Sequence, residues 1–141
     1  MRHSVLLVLL FLMMPAALAE SRTLGPDGVV GTWYAIPSGG LMDRIGRVFR
    51  EPRLDTLQID KNLSVRFERF FGDGQTQVLT ATPSAVQFQD DLMIVTFERP
   101  PLRARLVATG WQSGGTRLLL GQLYLYDNDG LFNGYAITFR P

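Results

Sequence analysis

The side chains able to do chemistry are few and sit in short strings. Asp90-Asp91 is one close acidic pair; Asp127-Asn128-Asp129-Gly130 contains another. The second string has the first two ligand positions of a calcium loop. Leu131 then stands where the next oxygen ligand belongs, and no glutamate follows at the last position. Both strings therefore read as hairpin turns, which favour Asn, Asp and Gly. Glu68 and Glu98 are of the type that shares acid–base work, but nothing in the sequence brings them together.

What is missing is more decisive. The chain has no cysteine and one histidine, His3, which lies in a segment expected to be removed. Without them there is no Ser-His-Asp triad, no Cys–His pair, no zinc site with nitrogen or sulfur ligands, and no histidine- or cysteine-held haem. The expectation is no catalytic residue, no metal and no cofactor.

Binding chemistry remains. Tyr124, Tyr126 and Tyr135 are amphipathic groups able to line a pocket and orient a ligand's polar end. Arg103 and Arg105 share one strand face, where a guanidinium can fork onto a carboxylate. Each group also has a plain reading: packing or exposure for the tyrosines, a solvated outer face for the arginines.

Elements must position these groups. Residues 1–19 read as a signal peptide: Arg2 and His3, an apolar run Val5–Met14, Pro15, then Ala17-Leu18-Ala19 before Glu20. The apolar run is too short for a membrane span, and no later run approaches the roughly 20 residues one needs. The expected mature protein, residues 20–141, is one exported domain, periplasmic or secreted, with no transmembrane segment. The absence of cysteine excludes disulfides and fits a bacterial envelope protein better than a small disulfide scaffold. Lys and Arg total 14 against 13 Asp and Glu, so no strong field draws nucleic acid.

From residue 54 onward the chain alternates apolar and polar residues between turn signals. Leu54–Asp60, Leu63–Phe71, Thr76–Thr82, Ser84–Gln89, Leu92–Glu98, Leu102–Gly110, Thr116–Asp127 and Leu131–Arg140 read as strands. With the strand around Trp33 there are about nine, spaced roughly 8–12 residues apart. Short links make sequence neighbours pair, so the spacing predicts an all-β fold: an up-and-down antiparallel β-barrel of about 8–9 strands. Between the first and second strands, Leu41, Met42, Ile45, Val48 and Phe49 fall on one stripe, with Arg44, Arg47 and Arg50 opposite. That predicts one short amphipathic helix over Leu41–Glu51. Leu41, Ile45 and Phe49 would face the barrel as a lid; alternatively the basic face meets anionic lipid or an acidic partner.

Gly31-Thr32-Trp33 on the first strand, a helix next and then a run of hairpins resembles the lipocalin and fatty-acid-binding (calycin) pattern. The resemblance implies that Gly31 and Trp33 close one end of the barrel, with a late arginine over the indole. Arg140 is the first candidate and Arg117 the second. The string Gly31–Tyr34 is also similar to the avidin opening strand, but avidins run from there directly into a hairpin and line their pocket with several tryptophans. An ordinary strand with a core tryptophan stays open as well. The calycin resemblance implies a non-enzymatic barrel binding a small hydrophobic or amphipathic ligand. The alternative is an envelope protein, inhibitor or accessory subunit, whose filled barrel binds another protein through its outer face. Large inward residues (Phe67, Phe88, Phe97 and Phe139) would favour the filled barrel.

Overall fold

The computed structural model describes residues 21–36, 54–71, 74–100 and 102–141. The expected signal peptide and the expected lid helix, with Leu41, Ile45 and Phe49, lie outside the described residues.

The strands run in chain order as β1 (Arg22–Thr23), β2 (Gly31–Ala35), β3 (Thr56–Ile59), β4 (Val65–Phe70), β5 (Thr76–Ala81), β6 (Val86–Gln89), β7 (Leu92–Arg99), β8 (Leu102–Ser113), β9 (Thr116–Asp127) and β10 (Gly130–Arg140). One short helix, α1 (Pro26–Val29), lies between β1 and β2. Every pairing is antiparallel, and the path through the sheet is β5-β4-β3-β2-β10-β9-β8-β7-β6. All steps but one join sequence neighbours. The exception, β2 with β10, brings the first long strand to the last and rolls the meander into a nearly closed barrel. The remaining seam runs between β5 and the β6–β7 hairpin. There Arg99 Nη1 donates to the Val78 carbonyl at 3.3 Å, in place of a full ladder.

Alternation decides which side chains enter the barrel. Trp33, Leu57, Ile59, Val65, Phe67, Leu79, Met93, Val95, Phe97, Ala104, Leu106, Leu119, Leu123 and Phe139 are almost wholly buried. Among the described residues no polar or charged residue is fully buried. Phe67 sits at the centre, tilted against Phe97 with ring centroids 6.1 Å apart and edge-on to Phe139 at 5.8 Å. Strands β4, β7 and β10 are not neighbours, so these contacts cross the interior, and rings fill it at that level. Phe88 is half-buried against the same core.

Two elements were not foreseen, and both serve the lower end. Leu24 N donates to the Gly110 carbonyl at 2.8 Å, and β1 pairs with Trp111 and Gln112. Strand β8 therefore runs through Gly110 to Ser113 instead of ending there. A Cβ at Gly110 would lie 2.7 Å from Leu24 Cβ, so the missing side chain is what admits the N-terminal segment. Helix α1 starts with Pro26 in its first turn, where the absent N–H costs nothing, and drops Val29 into the core.

Candidate functional site

The lower end is sealed from the sequence upward. Gly31 has φ +139, a conformation L side chains rarely adopt, which lets the chain turn from α1 into β2. Trp33, two residues on, points inward and is 1 % exposed. Its Nε1 donates to the Val29 carbonyl at 2.8 Å. The Arg117 guanidinium lies 5.1 Å from the indole centroid, and its Nη2 donates to the Gly28 carbonyl. The cation over Trp33 is thus Arg117 of β9. Arg140 is exposed at the end of β10, opposite Tyr34.

The other end is polar. Residues Val65, Phe67 and Arg69 alternate onto the inner face of β4, which puts Arg69 inside the rim, one step above Phe67. Its Nη1 donates to Gln77 Oε1 at 3.0 Å, across the β4–β5 pairing. Its Nη2 donates to Tyr135 Oη at 2.5 Å. The guanidinium lies 5.2 Å from the Phe71 ring centroid and 5.6 Å from that of Tyr135. Its Nε is buried and has no acceptor among the described residues.

Asp55, just before β3, completes the group. Its Oδ1 accepts from Phe70 N at 2.8 Å. Burial pushes the Asp55 carboxyl above its ordinary pKa, against the lowering effects of the Phe70 hydrogen bond and the Arg69 charge. Burial likewise raises the Tyr135 phenol, with Arg69 pulling the other way. Among the described residues the one ion pair is Arg66–Glu68, on the outer face at 2.8 Å, and Arg69 has none.

Of the five ligand-binding candidates, only Tyr135 lies on the inner face. Arg103 pairs opposite Tyr126 and Arg105 opposite Tyr124, so four of the candidates are brought together. They meet on the outside of the barrel, because the alternate positions Ala104, Leu106, Leu123 and Leu125 are the buried ones. Among the described residues Tyr124 Oη bonds to its own strand neighbour Gln122, at 2.5 Å. Arg69, Asp55 and Gln77 did not figure among the candidates. For Arg69 the signal was present: carrying the Val65, Phe67 alternation one step further puts a cation on an apolar face.

The two acidic strings are turns. Asp129 N donates to Asp127 Oδ1 at 2.8 Å beneath the β9–β10 hairpin. Asp90, with φ 52, takes the left-handed conformation that aspartate tolerates between β6 and β7, while Asp91 accepts from Thr23 Oγ1 at 3.0 Å. Among the described residues no three His, Cys, Asp or Glu gather as metal ligands, and no helix is long and apolar enough to cross a membrane.

Fold and site together define a single, nearly closed antiparallel β-barrel, consistent with calycin-type barrels in general. Compared with protein-family models, curated proteins and solved structures, the chain matches none.

Proposed function

We propose that this is an exported, non-enzymatic barrel of lipocalin-like type that binds a small hydrophobic or amphipathic molecule, in the periplasm or after secretion. The observation that supports this reading is the contrast between the barrel's ends. Trp33 and Arg117 seal one end. At the other, inner-face groups become progressively wetter: Leu125 and Ile137 are 6 % and 7 % exposed, and Leu102, Arg69 and Tyr135 are half-buried. A ligand's apolar part would rest on the rings of Phe67 and Phe97, with its polar end among the rim groups. Such a site is shallow, since those rings occupy the centre.

A second reading, an envelope protein that binds another protein, draws on the outer face. Leu120, Tyr34 and Ile36 are 46 %, 43 % and 40 % exposed there, and a filled barrel needs no cargo. Native mass spectrometry of the protein purified from its own host separates the two. A co-purified mass of lipid size is expected; a ligand-free protein in stoichiometric complex with another chain would replace the first reading by the second.

A further inference from the structure

We propose that Asn133 is a modification site: the backbone nitrogen of Gly134 closes on its side-chain amide and expels ammonia, and water opens the succinimide so formed to aspartate or isoaspartate. The step uses water as its only co-reactant, and it stands independently of the ligand-binding reading above.

Asparagine followed by glycine leaves the attacking nitrogen unshielded, because glycine has no Cβ. A strand ordinarily protects such a pair by tying each N–H into the ladder. Here that tie is missing. Successive residues of a strand turn their N–H and C=O groups to opposite neighbours. The Thr138 carbonyl faces β2, where it accepts from Ile36 N at 2.7 Å. Gly134 lies an even number of residues earlier in an unbroken register, so its N–H faces the same side. Among the described residues β2 pairs with β10 at Phe139 and Arg140 and does not reach Gly134. The Gly134 N–H donates instead to Asn133 Oδ1 at 2.8 Å. That bond holds the nitrogen against the carbonyl group whose carbon it attacks, the positioning that speeds an intramolecular reaction. Both residues are exposed, so water and base reach them. The register shift between Leu131 and Asn133 breaks regular pairing just before the site and gives the chain room to close the ring.

In the reaction a base removes the Gly134 amide proton, and the nitrogen bonds to the Asn133 side-chain carbonyl carbon. The bond from that carbon to the amide nitrogen breaks, and ammonia leaves with a proton taken from water. Water then adds at either carbonyl of the ring. Opening at the side-chain carbonyl gives aspartate on an unaltered main chain; opening at the main-chain carbonyl gives isoaspartate, which adds a methylene to β10. Nothing is oxidised or reduced, and either product gains a negative charge. Asn133 pairs opposite Leu125 and shares the inner parity of Tyr135. The aspartate form therefore puts its carboxylate on the inner side of the rim, about 7 Å along the strand from Tyr135, which accepts from Arg69 Nη2. The other asparagines are built differently. Asn62 Oδ1 accepts from Ser64 N at 3.0 Å and from Ser64 Oγ at 2.8 Å, and Leu63 follows it. The nitrogen after Asn128 is tied to Asp127 Oδ1 at 2.8 Å.

The test is timed incubation of the unaltered protein at mildly alkaline pH, folded and in urea. Peptide mapping by mass spectrometry follows each asparagine, and electron-transfer fragmentation locates isoaspartate. In the folded protein, conversion at Asn133 is expected to be at least about tenfold faster than at Asn62 or Asn128, the scale on which orientation of reacting groups acts. It should also be no more than about tenfold slower than at the same residue in urea, because the fold leaves the nitrogen free to react. Asn133→Gln, which moves the amide one methylene further out, should stop conversion there. Asn133→Asp should co-migrate with the aspartate form of the aged protein in isoelectric focusing. A larger slowing on folding overturns the inference, since the strand would then protect the site. A smaller margin over Asn62 or Asn128 overturns it as well, as does an unchanged rate in the glutamine variant. The folded and urea arms use the unaltered protein, so they hold even if a variant fails to fold.

Discussion

Arg117 lies over the indole of Trp33, 5.1 Å from the ring centroid, and the same guanidinium caps the Gly28 carbonyl. One residue of β9 thus joins α1 to the first long strand, across 84 or more positions of sequence, by a cation–π contact and a hydrogen bond. The indole adds its own bond to Val29 O at 2.8 Å. Neither of the Arg117 contacts is local to a hairpin, so both stabilise the closed end of the barrel and not any single strand pair.

Replacing Arg117 by alanine should destabilise the fold by about 1–2 kcal/mol, through the lost contact with the ring and the unpaired Gly28 carbonyl. Arg140→Ala should stay within about 0.5 kcal/mol of the parent, since Arg140 is exposed at the end of β10. Urea unfolding followed by tryptophan fluorescence measures both. Equal losses would move the closing role back to Arg140.

Gly121→Ala should destabilise by about 1–3 kcal/mol, the usual cost of overpacking. A Cβ there would stand 2.7 Å from the Val107 carbonyl oxygen and 2.9 Å from Ala108 Cβ on the paired strand. Thermal unfolding by circular dichroism would register it. A neutral outcome would mean that β8 and β9 lie further apart than described.

Asp55 gives a pH dependence whose sign follows from its raised pKa. Because the folded state holds the Asp55 proton more tightly than the unfolded chain, this group's contribution is greatest below its ordinary value of 3.8. It is lost as pH rises through the elevated folded-state value. Asp55→Asn should remove that loss, making the variant at least as stable as the parent near neutrality. Urea midpoints measured across the acidic range and at neutrality check this; a variant less stable than its parent at neutrality would show that attraction to Arg69 outweighs burial.

Tyr124→Ala, Tyr126→Ala, Arg103→Ala and Arg105→Ala should each leave binding of a small amphipathic probe such as dodecanol, measured by calorimetry, within about twofold, as expected of surface changes away from a site. All four point away from the interior. A tenfold loss in any of them would place the ligand on the outer face of β8 and β9.

Much of the architecture was legible from alternation and turns. The segment Leu92–Glu98 became β7, Thr116–Asp127 became β9, and Leu131–Arg140 became most of β10. Strand recognition needs only local signals: period-two patterning, and Gly, Asn, Asp or Pro at the ends. Gly110 misled for a physical reason. It looks like a strand terminator, yet its missing side chain makes room for Leu24 and Val29 within a continuing strand. No local pattern carries that information, because the contact is made by residues more than 80 positions away.

The site shows the same division. By itself the sequence determined that Tyr124 and Tyr126 share a face with Leu118 and Leu120, that Arg103 and Arg105 share another, and that no histidine or cysteine is present beyond His3. Which face turns inward was decided only by closure of the barrel. Both faces of β9 are apolar enough to be buried, and the choice fell to Leu119, Leu123 and Leu125: across β8, Leu106 and Ala104 opposite Leu123 and Leu125 are buried too, and across β10, Phe139 and Tyr135 opposite Leu119 and Leu123 belong to the inner face. Alternation relates residues within one strand. Only the registers of β4, β5 and β10, set by the packing of Phe67, Phe97 and Phe139, could bring Arg69, Gln77 and Tyr135 to one rim.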